Sequence, residues 1–230
     1  MVTSISMEEG PLVLEALELG AFDYIQKPSM SEISIVAPLL IEKVKEAASS
    51  KTQSSPTRSI SKAKKATHCD TDSMIVVGSS TGGTNALKDI LTMMPREIPP
   101  VLIVQHIPAV FSKAFADRLN GLCPFLIKEA EDGEEVLKNS VYIAPGGKQM
   151  KVVQKGSKLV ICITDDAAVN RFKPSVDYLF DSIAPLLPNT NVVSVILTGM
   201  GKDGARGMLK LQDAGAKTIA QIGRASCRER

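Results

Sequence analysis

The sequence predicts a doubly wound α/β fold built on a mostly parallel sheet. Three observations carry that expectation. From Met74 onward, short apolar runs alternate with amphipathic stretches at helical spacing, the order of strands joined by crossover helices. Several of these runs, VLIVQ (101–105) above all, are apolar at nearly every position, as strands are when both faces of a parallel sheet are covered. Glycine-rich turns at 78–82 and 199–204 stand where a strand gives way to a helix, the place where open α/β sheets bind ligands.

Element by element, Pro11 through Leu19 reads as a helix, with proline in its first turn and Gly20 just past its end. FDYIQ (22–26) reads as a strand ended by Lys27-Pro28. Ile33, Val36, Leu40, Val44 and Ala47 recur at spacings of three and four, which predicts a second helix. Pro38 is expected in its first turn, because a proline in a helix interior costs about 3 kcal/mol. In the main domain the expected strands are 74–78, 101–105, 141–144, 150–154, 159–164, 192–198 and 217–221. The expected helices are 84–94, 110–120, 175–187 and 204–214, and the sequence shows no internal repeat.

The 230 residues are 44% hydrophobic and 23% charged, ordinary values that argue against wholesale disorder. No run approaches the roughly 20 apolar residues of a membrane helix, and the N-terminus lacks the basic start of a secretory signal. A cytoplasmic protein without membrane insertion is expected. Cys69, Cys123, Cys162 and Cys227 are far apart with no C-x-x-C spacing, so reduced thiols are expected in place of a zinc site or disulfide framework. A net charge of +2 and the absence of Trp give no case for nucleic acid.

Charge divides the chain. Residues 1–50 carry 3 Lys/Arg against 8 Asp/Glu, whereas residues 51–72 carry 5 against 2. Residues 49–72 are rich in Ser, Thr and Lys with one strong hydrophobe, Ile60, too little apolar surface to offset the entropy of ordering, which predicts a flexible linker. The last nine residues, IGRASCRER, break the pattern before them, and one back-translation reads as a widely used sequencing adapter. Residues 222–230 are therefore expected to be adapter read-through and are set aside from fold reasoning.

Gly78-Ser79-Ser80-Thr81-Gly82 matches the G-x-S-x-G elbow that presents a nucleophilic serine at a strand-to-helix turn. The other reading is a turn whose hydroxyls cap the next helix. Of two histidines, His68 lies in the linker and His106 ends VLIVQ at the same edge as Ser80, so His106 is either structural or the base for Ser80. Asp203, in Leu197-Thr198-Gly199-Met200-Gly201-Lys202-Asp203-Gly204, also leaves a strand and enters a helix. It would either cap that helix or orient the imidazole. Gly199-x-Gly201-x-x-Gly204 is in addition a literal dinucleotide fingerprint, but the acidic residue expected about 20 positions on is missing. A nucleotide-binding α/β module without esterase activity is the alternative function.

IVVGSSTGGTNAL, VQHIPAVFS, VYIAPGG, KPSVDYLF and ILTGMGKDGARGM, in this order, resemble the catalytic domain of chemotaxis-specific protein-glutamate methylesterases, the CheB family, over about 73–221. The resemblance implies a Rossmann-like domain that hydrolyses glutamate γ-methyl esters on methyl-accepting chemoreceptors, releases methanol, and often deamidates receptor glutamines. It implies a Ser-His-Asp triad at Ser80, His106 and Asp203, with an oxyanion hole from backbone N–H groups near Thr81 and Met200. No metal or cofactor is implied.

Residues 1–48 resemble the end of a response-regulator receiver domain, a flavodoxin-like fold that precedes this esterase in the family. Thr3 would be its phosphoryl-sensing hydroxyl and Lys27 its phosphate-contacting lysine. The phosphoacceptor aspartate of such a domain would lie upstream of Met1, so a chemotaxis histidine kinase is not an expected partner of this polypeptide.

Overall fold

The computed structural model describes residues 2–3, 10–49, 70–199 and 201–221. Its centre is a six-stranded, all-parallel sheet formed by β3 (Ser73–Ser79), β4 (Val101–Gln105), β5 (Leu126–Glu129), β6 (Ser140–Ile143), β9 (Asn191–Ile196) and β10 (Lys217–Ala220). The strand order is β10-β9-β3-β4-β6-β5. From β3 the chain moves outward through β4, and it later returns to β3's other side as β9. The strand order therefore reverses between β3 and β9, and the carboxyl ends of strands at such a point are where open α/β sheets bind ligands.

Alternation along β3 explains the two layers. Ile75 and Val77 join a core with α3 (Gly83–Met93) and α4 (Ala109–Asn120), where Leu87, Leu91, Phe111 and Phe115 are buried. Met74 and Val76 join the opposite core, formed with α5 (Val176–Ile183) and α6 (Ala205–Asp213) through Leu179, Phe180, Ile183 and Leu211. Successive side chains of a strand point to opposite faces, so a strand covered on both sides must be apolar throughout. A run of 3-10 helix (184–189) follows α5, so the expected helix 175–187 is shorter in its α-helical part.

The structure adds two features to the expected elements. Runs 150–154 and 159–164 form β7 (Gln149–Lys155) and β8 (Lys158–Thr164), an antiparallel hairpin outside the parallel sheet. It packs on the α5 side, where Met150, Val152 and Ile161 are buried. Apolar content reported burial here and not strand direction. The edge strand β5 was not expected at all, because LIKE is short and ends in two charged residues.

The N-terminal part contains β1 (Val2–Thr3), α1 (Gly10–Glu18), β2 (Ile25–Gln26) and α2 (Ile33–Ser49), with β1 and β2 parallel. Pro38 lies inside α2 and not in its first turn. The reason is upstream: Glu32 accepts hydrogen bonds from the backbone N–H and the hydroxyl of Ser29, a capping-box contact that starts the turn before the apolar pattern begins. Val13, Leu14, Leu17 and Tyr24 share the core of α3 and α4, and Tyr24 meets Phe111 edge-on at 5.0 Å. Residues 50–69, the body of the expected linker, lie outside the described residues, as do 222–230.

Candidate active site

Register delivers the first pair of side chains. Ser79 of β3 lies opposite Gln105 of β4, so the next residues, Ser80 and His106, leave the sheet edge side by side. The His106 N–H donates to the Ser79 carbonyl at 3.0 Å and the Ser80 N–H to the Thr198 carbonyl at 3.0 Å. The left-handed backbone of the turn falls on Gly82, with φ 74°, and not on Ser80. Ser80 Oγ lies 3.0 Å from His106 Nδ1, and His106 Nε2 lies 2.8 Å from Asp203 Oδ2. Serine, imidazole and carboxylate thus form one hydrogen-bonded chain. The imidazole is 10% exposed and the carboxylate fully buried.

Asp203 does not cap the helix that follows it. Gly204 is the N-cap of α6 and supplies no side-chain bond. The carboxylate instead meets the N-terminus of α5. Oδ2 accepts from the Val176 N–H at 2.8 Å; Oδ1 accepts from Ser175 Oγ at 2.7 Å, Asn170 Nδ2 at 2.8 Å and the Asp177 N–H at 3.3 Å. Helix N-termini favour anions through their free N–H groups and dipole. Burial, the strongest single influence, favours the neutral acid. The hydrogen bonds from His106, Ser175, Asn170 and Val176 together outweigh it and hold the carboxyl at about 2. An ionised carboxylate can only accept, so Nε2 carries the imidazole proton and Nδ1 presents a lone pair to Ser80.

Thr81 is buried, and its hydroxyl donates to Asp23 Oδ2 at 2.8 Å. Its backbone N–H, next to Ser80, has no partner among the described residues. Met200 lies outside the described residues. Thr3 ends β1 opposite Gln26, and Lys27 follows β2 as an exposed residue, both distant in sequence from the triad.

Sequence reasoning missed several supporting groups. Gln105, 3% exposed, accepts from Ser79 Oγ at 2.7 Å and donates through Nε2 to the carbonyls of Ser80 and His106. It ties the two loops together from beneath, and its one signal was a polar residue closing an otherwise apolar strand. Phe172 stacks on the His106 ring, with centroids 3.7 Å apart and planes 4° from parallel. Ser175 and Val176 lie in KPSVDYLF, a stretch the sequence marked but gave no role.

The 199–204 loop has another use than nucleotide binding. A Cβ at Gly199 would lie 2.6 Å from the Ser80 Cβ, so this glycine admits the serine where a fingerprint would admit a phosphate. Among the described residues no group of three or more His, Cys, Asp or Glu could hold a metal ion. No described helix is long and apolar enough to cross a membrane.

Comparison with known proteins agrees with this geometry. The family model described as CheB methylesterase matches residues 75–228. The chain is 44% identical over 229 residues to protein-glutamate methylesterase/protein-glutamine glutaminase 1 of Cupriavidus metallidurans, covering 96% of this chain and 64% of that protein. It is 44% identical over 231 residues to the protein-glutamate methylesterase/protein-glutamine glutaminase of Shigella flexneri, covering 99% of this chain and 66% of that protein. The chain thus spans a little under two thirds of the length of these relatives. The crystal structure of the Thermotoga maritima CheB methylesterase catalytic domain superposes with a TM-score of 0.64 at 36% identity, over 67% of this chain and 82% of that one. A parallel sheet with Ser80, His106 and Asp203 in series at its carboxyl edge, and these likenesses, lead to one conclusion: the chain belongs to the CheB methylesterase family.

Proposed function

We propose that the chain hydrolyses glutamate γ-methyl esters on methyl-accepting chemoreceptors, with Ser80 as nucleophile, His106 as general base and Asp203 as the acid that orients it. The observation that carries this reading is the continuous run from Ser80 Oγ through the two imidazole nitrogens to the buried Asp203 carboxylate. The Ser80 proton passes to His106 Nδ1 while Oγ attacks the ester carbonyl, and Asp203 balances the charge of the imidazolium. The Thr81 N–H, without a partner among the described residues, is the oxyanion donor, and the family resemblance implies the Met200 N–H as the second. Methanol takes the proton from His106, and water, deprotonated by the same nitrogen, frees the glutamate. A glutamine side chain enters the same sequence with ammonia as leaving group, so receptor deamidation is included.

We assign residues 1–48 to the end of a receiver domain with Thr3 and Lys27 as its switch residues, 49–72 to a linker and 73–221 to the esterase. The parallel pair β1–β2, with α1 between its strands, supports the first assignment. A cytoplasmic site of action follows from the substrate.

The test is methanol release from methylated receptor, with fluorophosphonate labelling of Ser80 as an independent probe of the nucleophile. Ser80→Ala should abolish labelling and lower methanol release by at least about 10⁴, while Ser79→Ala, which loses only a buried contact to Gln105, should be far milder. Methanol release by Ser80→Ala near the wild-type rate would refute the assignment.

A further inference from the structure

We propose that the Phe172 ring, held flat on the His106 imidazole by a tight turn, stabilises the imidazolium that forms as Ser80 gives up its proton. The inference rests on the reading of Ser80 and His106 given above.

The turn is built for position. Val169 and Phe172 exchange both backbone hydrogen bonds, at 2.8 and 3.1 Å, leaving Asn170 and Arg171 as a two-residue connection. Both have positive φ, 52° and 70°, as two-residue hairpin turns of this type require. Such turns favour Asn followed by Gly. A side chain as large as arginine in the second place is unusual and marks a conformation imposed by its surroundings. Asn170 supplies an anchor: its Nδ2 donates to Asp203 Oδ1 at 2.8 Å and to Asp177 Oδ2 at 2.7 Å. One short turn therefore grips the triad acid with one residue and covers the triad base with another.

The stacking geometry gives the contact a sign. Phe172 and His106 are nearly parallel at a centroid distance of 3.7 Å. Between two neutral aromatic rings stacked face on face the quadrupoles contribute little attraction, or oppose. A cation over the face of an aromatic ring is attracted by the same quadrupole. The contact is thus stronger when the imidazole is charged than when it is neutral. In the proposed reaction His106 gains charge by taking the Ser80 proton, so the interaction strengthens as the transition state forms, the condition for raising kcat. The Nε2 proton remains directed at Asp203, and the extra proton on Nδ1 leaves with methanol. Phe172 is a positioning residue acting through His106. Asp203 meets the imidazolium at its edge and Phe172 at its face.

The experiment replaces the ring three ways in the full chain: Phe172→Leu, Phe172→Tyr, and pentafluorophenylalanine at position 172, which keeps the shape and reverses the quadrupole. Fluorophosphonate labelling rate, kcat and KM for methanol release, and thermal midpoint are measured for each. Phe172→Leu and the fluorinated ring should lower kcat and the labelling rate about three- to thirtyfold, with KM changed less than about twofold, and Phe172→Tyr should restore the rate. The fluorinated ring tests charge without changing packing, so it decides even if Phe172→Leu does not fold. A fluorinated variant as fast as the wild type would reduce the contact to packing and overturn the proposal. Wild-type chain labelled at Ser80 that releases no methanol from methylated receptor would instead refute the substrate reading, leaving the labelling rates to judge Phe172. Absence of labelling at Ser80 would overturn both.

Discussion

The loops after β3 and β4 differ from the loop after β9 in how they deliver a member of the proposed triad. Ser80 and His106 each stand one residue beyond a paired position, Ser79 opposite Gln105. Hydrogen bonding of the sheet alone sets them adjacent. Asp203 lies seven residues beyond the end of β9 and is held by no strand. Its place is fixed by the N-terminus of α5, an element that belongs to a different connection. Register gives precision at no added cost where two members leave neighbouring strands. A third member must be held by packing, and here a helix end both positions the carboxylate and keeps it ionised.

The largest expected effect comes from breaking the packed side. In Asp203→Asn the amide has one acceptor where the carboxylate has two oxygens receiving five bonds, from His106, Val176, Ser175, Asn170 and Asp177. Loss of the charge opposite the imidazolium should lower kcat by up to about 10⁴. The variant should also lose about 1–3 kcal/mol of stability, since a buried donor at α5 is left unpaired. A silent thermal midpoint together with near-normal methanol release would show that the contacts at Asp203 are unimportant.

The same residue predicts a pH dependence. Its carboxyl is held at about 2 against an ordinary 3.8. The folded state therefore binds a proton there less readily than the unfolded chain. Asp203's contribution to stability is fully present above about pH 4 and is lost as pH falls toward 2. Thermal midpoints measured across that window should fall less steeply for Asp203→Asn than for the wild type.

An intermediate effect should follow from attacking the register side. Gln105→Leu keeps approximate size but removes one acceptor and two donations beneath the nucleophile and base loops. A cost of about 2–4 kcal/mol in stability is expected, with a fall in kcat as Ser80 and His106 lose their common support. Unchanged stability would mean that strand pairing suffices without the glutamine.

The smallest effect tests the packing of the N-terminal part. Tyr24 is buried and its hydroxyl has no partner among the described residues, and burial raises its pKa above the usual phenol range. Tyr24→Phe keeps the edge-on contact with Phe111 and removes an unsatisfied group, so the thermal midpoint should hold or rise by the equivalent of up to about 1 kcal/mol. Esterase rate should not change. A clear drop in midpoint would mean that the hydroxyl has a partner.

The sequence by itself determined the alternation of strands and helices, because burial on two faces leaves runs that are apolar throughout and turns rich in glycine. It also singled out Ser80 and His106 as candidates, which stand one step past strands whose pairing is local to the sheet. Legibility ended where partners come from remote segments. The β7–β8 runs read as strands, but their antiparallel pairing outside the main sheet was not legible, because apolar content reports burial and not direction. Whether Asp203 caps a helix was undecidable from its own neighbours, and the structure answers that it meets a helix 27 residues earlier in the chain, at Val176. Phe172 gave no signal at all, since a ring's position on an imidazole depends on a turn whose conformation is fixed by Asn170 gripping Asp203 and Asp177. Short-range hydrogen bonding and hydrophobic periodicity are written in neighbouring residues. Contacts between the ends of separate elements exist only once the layers have packed, and those contacts decided what holds Asp203, its charge and what covers the face of His106.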